Sequence, residues 1–261
     1  MNNCGDLHLL GATMRRSTVL LIAACGCGGD TNRSVADPTQ KQPTPQVAAN
    51  QPLAAATPIW TPVEMKPGWG TFVDPDRDCK QTWKDGALAI EVPGKSHELQ
   101  WNGQRNAPRL LLERNGDFAM SVRVAGALSP KQPTGQFAPY QGAGIVVMEN
   151  DGRFIRIERA KIVLPNSKTI TYINFEDHEA SGSKPVKQFK LLDDESVHLK
   201  IERRQNKITG FMSRNGTSWE SLGEVSIPTT AAQKIGVAAV NSSNSAFTAE
   251  FNDFRFFESK G

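Results

Sequence analysis

From Gly68 to the C-terminus the chain is written in short runs of apolar or alternating residues, each closed by Gly, Asn, Asp or Pro. Alternation at a period of two places one side chain inward and the next outward, so such runs predict β-strands. The strands expected are Ala87–Val92, Glu98–Trp101, Arg109–Glu113, Phe118–Val124, Ala143–Glu149, Phe154–Ala160, Thr169–Phe175, Val197–Arg203, Ile208–Arg214, Ile235–Val240 and Phe247–Phe257. The last shifts its alternation at Asn252-Asp253, which predicts a bulge. No window carries helical periodicity over more than two turns. Asn115-Gly116, Asp151-Gly152 and Asn215-Gly216 tolerate the positive φ of tight hairpins, so strands adjacent in sequence are expected to pair. About a dozen strands exceed a seven-stranded immunoglobulin-type sandwich and fit two larger antiparallel sheets, a jelly roll. A closed barrel or small propeller is the alternative, and no internal repeat supports blades.

Two strands make the outward positions informative. In Phe154–Ala160 the isoleucines Ile155 and Ile157 belong inside, which leaves Arg156 and Glu158 together outside. In Thr169–Glu176 Ile173 and Phe175 point one way while Tyr172, Asn174 and Glu176 point the other. Arg109, set among apolar neighbours, and the flat ring of Trp101 complete a candidate ligand platform. Rings stack on the CH faces of sugars, while amides, carboxylates and guanidinium bind paired hydroxyls. The plainer reading of Arg156 and Glu158 is an ion pair on a wet sheet.

The first third of the chain follows other rules. Arg15-Arg16 precedes the short apolar run Val19–Ala24, too short to span a bilayer and suited to a secretory signal. Met1 and Met14 are both possible starts. The run ends in Ile22-Ala23-Ala24-Cys25, which resembles the lipobox of bacterial lipoproteins, and the resemblance implies lipidation of Cys25, with Cys27 a poorer candidate. Residues 25–67 are rich in Pro, Thr, Gln and Ala and cannot bury enough apolar surface to offset chain entropy, so a disordered tether is expected there. The organisation read is therefore a signal peptide over 1–24, a tether over 25–67 and a β-sandwich over 68–261. The expected location is the cell envelope, exported, with the membrane met through the lipid alone.

A formal net charge of +3, with both signs interspersed, provides no basic stripe and speaks against nucleic acid. Four cysteines, of which Cys79 alone lies in the domain, give no disulfide framework, so stability must come from the core. Cys79 reads as an inert thiol. The four histidines form no zinc spacing, and no Gly-x-Ser-x-Gly elbow occurs. Asp74, Asp76 and Asp78 in "DPDRDC" place three hard oxygens along one segment, which suits a structural Ca²⁺, although the Gly and distal Glu of an EF-hand loop are missing. The other reading is an Asp-Pro turn whose carboxylates cap backbone N–H groups. Glu149 and Asp151 lack the third carboxylate of the alternating glucanase pattern.

The blocks "GWGTFVDPDRDC", "NAPRLL", "GDFAMSVRV", "YQGAGIVVMENDGRFIRIERA" and "SRNGTSWESLGE" together resemble the family catalogued as domain of unknown function 1349. That resemblance, from Gly68 onward, implies a concanavalin A-like jelly roll and a leaning toward sugars, and transfers no catalytic residue. The expectation is a non-catalytic module that binds a saccharide or glycan. The alternatives are a glycoside hydrolase using Glu158 and Glu176, which two carboxyl groups within about 5–10 Å in one deep cleft would favour, and a protein-interaction module.

Overall fold

The computed structural model describes residues 59–100, 103–134, 138–150, 152–179, 181–191, 195–227 and 232–259. Among them there are strands and no helix. In chain order the strands are β1 Trp60–Val63, β2 Thr71–Val73, β3 Lys80–Lys84, β4 Ala87–Val92, β5 Arg109–Arg114, β6 Phe118–Ala125, β7 Tyr140–Asn150 and β8 Arg153–Val163. They continue with β9 Thr169–Glu179, β10 Gly182–Lys190, β11 Val197–Arg204, β12 Lys207–Ser213, β13 Glu220–Ser226, β14 Gln233–Asn241 and β15 Phe247–Ser259. One sheet runs β13-β12-β11-β6-β15-β4-β3, with β1 added along β15; the other runs β10-β9-β8-β7-β14-β5-β2. The ladders are antiparallel, and the two sheets stack as a jelly-roll sandwich.

The core is built by the expected alternation. Ile145 and Val147, Ile155 and Ile157, and Ile173 and Phe175 face inward from three neighbouring strands of the second sheet. They meet Met120, Val122, Leu199, Ile201, Phe251 and Phe256 of the first, all buried. Each such side chain contributes roughly 1.5–3 kcal/mol on burial, which lets the domain stand without a disulfide. Arg159 shares the inward face of Ile155 and Ile157 and is itself buried. Its guanidinium reaches the rim of the sandwich and donates to the carbonyls of Glu195 (2.6 Å) and Gly126 (2.8 Å).

Several expectations need correction. β1 lies inside the stretch 25–67 read as a tether and pairs with the end of β15. Over its described residues, 98–100, the expected strand Glu98–Trp101 is not regular: His97 bridges Asn241 and Leu99 bridges Arg105, so the segment hooks over the sheet. Asn115-Gly116 links β5 to β6, which sit in different sheets, so this turn carries the chain across the sandwich rather than closing a hairpin. The bulge in β15 is present, with the register shifting between Asn252 and Arg255 and Asp253 at φ 53°. β10, "GSKPVKQFK", is an edge strand with Pro185 at a register shift and three lysines. Such residues keep an edge from pairing further and erase the alternation by which a strand is recognised.

Candidate functional site

The outward face of the second sheet is not wet. Residues 94–100 and 103–108 cross it, and Leu99 and Ala107 pack on Leu111, Val146, Met148, Phe154, Ala238 and Val240 to form a second, small apolar cluster. Arg109 explains how the crossing segment is held. Its Nη1 donates to the carbonyls of Arg105 (3.0 Å) and Ala107 (2.9 Å). Arg109 thus shares the face of the expected platform but serves the covering segment, with β14 and β7 between its strand and β8. Trp101 and Cys25 lie outside the described residues.

Beside the covered zone, register brings five of the expected residues together. Arg156 stands opposite Glu176, Glu158 opposite Asn174, and Ala160 opposite Tyr172 across the β8–β9 ladder. Arg156, Tyr172, Asn174 and Glu176 line a cavity of about 230 Å³, closed on the other sides by Glu98, Gln100, Tyr140, His178, Ser183 and Ser242. Arg156 and Glu158 do face outward, yet only 7% and 1% of their surface is exposed, because the segment 94–108 and Tyr140 cover them.

Burial makes the charges interdependent. Arg156 reaches Glu158 Oε1 through Nε at 2.9 Å and Glu176 Oε2 through Nη2 at 3.1 Å, so one guanidinium serves two carboxylates. Its Nη1 points to the Leu99 carbonyl at 3.4 Å, which ties the cluster to the covering segment. The Tyr140 hydroxyl donates to Glu158 Oε1. Room for this is made on β7 by Gly142, where a Cβ would fall 2.6 Å from Glu158 Oε2 and 2.7 Å from the Tyr140 hydroxyl. Gly144 admits the backbone of β8 in the same way.

The two carboxylates are driven apart in acidity. Burial pushes Glu158 up to about 7, against the opposing pull of Arg156, and the Glu176 charge adds to the rise. Burial acts upward on Glu176 too, but the His178 hydrogen bond and the Arg156 guanidinium outweigh it and hold the group at about 2. His178 is held below its usual value by burial first, with Arg156 adding to the effect and Glu176 opposing it. The neutral ring then donates from Nε2 to Glu176 Oε2 at 2.9 Å, and Nδ1 is buried without a partner. The ring is fixed by stacking on Phe154 at 4.2 Å. Neither Tyr140 nor His178 was singled out by sequence. The available signal was Tyr140 two residues before a strand glycine, where a ring can fold back over the gap.

The cavity also holds unspent hydrogen-bonding capacity. The hydroxyl of half-buried Tyr172 makes no hydrogen bond among the described residues, and burial with two nearby carboxylates raises its pKa. Asn174 accepts from Gln188 Nε2 at 3.3 Å, and Gln100 donates to Glu98 Oε2 at 3.1 Å.

The aspartate loop is arranged differently from a calcium cage. Asp74 Oδ2 accepts from the Cys79 amide at 2.8 Å, a cap of the kind the turn reading expects. Asp76 Oδ2 accepts from Asn106 Nδ2 at 2.7 Å, and Asp78 pairs with Lys95. Ca²⁺ takes six to eight oxygens. With the present partners, Asp74 Oδ1 is the buried carboxylate oxygen left without a hydrogen bond in this loop. Among the described residues the possible metal ligands that converge are Asp78, Cys79 and buried His97, within 4.8 Å of one another. The Cys79 thiol is pushed up by burial and then by Asp74 and Asp78, which keeps it protonated.

Known proteins resemble this fold more than this sequence. A functionally unknown protein from Saccharomyces cerevisiae superposes with a TM-score of 0.56 at 15% identity, covering 74% of this chain and 97% of that one. The GH43 protein BlXynB from Bacillus licheniformis superposes with a TM-score of 0.50 at 15% identity over 74% of this chain. The match spans only 40% of BlXynB's length. The carbohydrate binding module CBM66 from Bacillus subtilis matches at 15% identity and a TM-score of 0.35, over 76% of this chain and 95% of the module. No curated protein matches the chain. The model of the family described as protein of unknown function, DUF1349, matches residues 94–259, from the covering segment to the last strand, and the chain belongs to that family.

Proposed function

We propose that the domain binds a saccharide end in the pocket between β8, β9 and the segment 94–108, without cleaving it. The observation that carries this reading is the pocket's inventory: a tyrosine with an unengaged hydroxyl, two amides and a buried guanidinium–carboxylate cluster around about 230 Å³. Drug-sized ligands fill cavities above about 300 Å³, so this one suits a single ring at a chain end. The Arg156 cluster acts as a rigid polar floor, since each of its charges is already paired, and Tyr172 and Asn174 supply the adaptable contacts. The occurrence of this fold within a GH43 protein is the reason to try sugars first. A glycan array run with wild-type protein, Tyr172→Ala and Asn174→Ala tests the reading. Loss of the wild-type hits in both variants is expected, and unchanged binding in both would remove the pocket from the account.

One observation favours a second reading, hydrolysis. A carboxyl near 7 beside one near 2 is the division of labour expected of an acid and a nucleophile. Against it, Glu158 is sealed beneath Tyr140, and both carboxylates turn to Arg156. Release of reducing ends from a bound glycan, lost in Glu158→Gln and Glu176→Gln, would establish the hydrolase instead. The reading extends to the envelope: Cys25 would carry lipid and the following spacer would hold the domain off the membrane. Metabolic labelling with a palmitate analogue, abolished by Cys25→Ser, tests that part.

A further inference from the structure

The outer face of the first sheet carries a larger depression, about 570 Å³, that the pocket reading does not use. Its origin is visible in the alternation of β6. The outward positions there are Ala119, Ser121 and Arg123, so the middle of the sheet is low where its neighbours are tall. Ala119 and Ser121 form a buried floor, 4% and 7% exposed. Trp219, beside β12, and Trp60, on β1, stand at the two flanks, with β11, β6 and β15 between.

Both rings are held by cations. Lys200 Nζ lies 4.8 Å from the centre of the Trp219 ring and 4.3 Å from that of Phe211, and the Arg204 guanidinium lies 5.6 Å from Trp60. Such contacts orient a ring while leaving positive charge beside it. The charge is unbalanced. Lys200, Arg204, Arg123 and Arg255 face the acids Glu202 and Asp253. Glu202 is already committed to Lys200 at 2.8 Å and Arg204 at 3.2 Å. Arg123 has the Ser196 hydroxyl, at 2.9 Å, and exposed Arg255 has no hydrogen bond or ion pair among the described residues. Among those residues Ile59 is the large apolar side chain left exposed, so no apolar patch invites a protein partner.

We infer that this trough is a second binding site, for an acidic saccharide chain whose ring faces stack on Trp60 and Trp219 and whose carboxylates meet Arg123 and Arg255. The inference goes beyond the pocket reading and does not depend on it, because the two sites lie on opposite outer faces of the sandwich.

The test is a titration of the whole domain with hexagalacturonate, followed by calorimetry and by the indole N–H signals in NMR, with neutral xylohexaose and the oligonucleotide dT12 as comparators. Hexagalacturonate is expected to shift the Trp60 and Trp219 indole signals. Affinity should fall about tenfold or more in Arg123→Glu/Arg255→Glu. It should also weaken several-fold between about 0.05 M and 0.3 M salt. Trp219→Ala should weaken it as well, and the exposed Arg255→Glu single variant gives a measurement that does not disturb the fold. Absence of binding, equal binding of xylohexaose, or tighter binding of dT12 would each overturn the inference. Shifts confined to Tyr172 and Asn174, with the indoles silent, would overturn it while upholding the pocket, so the two readings fail separately.

Discussion

The two outer faces of this sandwich follow the same period-two rule and end in opposite states. On the second sheet the outward residues Arg156, Glu158, Asn174 and His178 are buried, knit into one cluster and split in acidity. On the first sheet the outward residues Arg123, Lys200, Glu202 and Arg255 remain partly or fully in water around an open trough. The strands do not cause the difference. It comes from the irregular segment 94–108, pinned by the His97–Asn241 bridge and by Arg109, which covers one face and has no counterpart among the described residues on the other. A charged pair under cover becomes part of the fold, whereas the same pair in water remains available to a ligand.

The largest effect expected of that contrast is at Arg156. Removing it in Arg156→Ala leaves Glu158 and Glu176 facing each other without their shared cation, and a broken buried pair costs about 3–5 kcal/mol. Urea denaturation measures this, and a loss below about 1 kcal/mol would mean that water already reaches the cluster.

Next in size is a dependence on pH with two limbs of opposite sign. Glu158 has its folded pKa raised to about 7, so the stability it contributes is full below the unfolded value near 4.5 and is lost as pH rises through 7. Glu176, held at about 2, contributes stability above 4.5 that is lost as pH falls toward 2. Each limb amounts to at most about 3 kcal/mol. Melting curves from pH 3 to 8 should show Glu158→Gln flattening the neutral limb alone and Glu176→Gln the acid limb alone. Somewhat smaller is Gly142→Ala, whose methyl would collide with Glu158 and Tyr140 at the spacings above. Overpacking of this kind costs about 1–3 kcal/mol, and Tyr140→Phe in the same chain should recover only part of it, since the closer contact with Glu158 remains.

How far these features were legible follows from the same contrast. Ile155, Ile157, Ile173 and Phe175 alternate without interruption, so their strands, their inward faces and the companionship of Arg156 with Glu176 could be read directly. β10 and β13 could not, because an edge strand has little core to alternate against, and neither could β1, whose partner β15 lies nearly two hundred residues on in the chain. The burial of the platform was illegible for a related reason. It depends on Leu99 and Ala107 landing on Val146 and Phe154, contacts that no local pattern encodes. Arg109 stands on the outward face as its alternation implies, but the carbonyls of Arg105 and Ala107 that it holds lie in a stretch where the sequence offers no strand, so no local pattern links them to it.

The smallest expected effect is the one that tests the open face. In Lys200→Ala the ion pair with Glu202 and the contact with Trp219 both disappear, but the ammonium keeps water on one side, and Arg204 still reaches Glu202 at 3.2 Å. The pair is half-buried; surface pairs contribute about 0.2–1 kcal/mol, and side-chain entropy released by the truncation offsets part of that. Urea midpoints of wild-type and Lys200→Ala should therefore agree within about 0.5 kcal/mol, in contrast to Arg156→Ala. A cost above about 1.5 kcal/mol would show that Lys200 is fixed as firmly as the buried cluster. The trough would then be a structural face like its opposite, with its charges spent on the fold and none left over for a ligand.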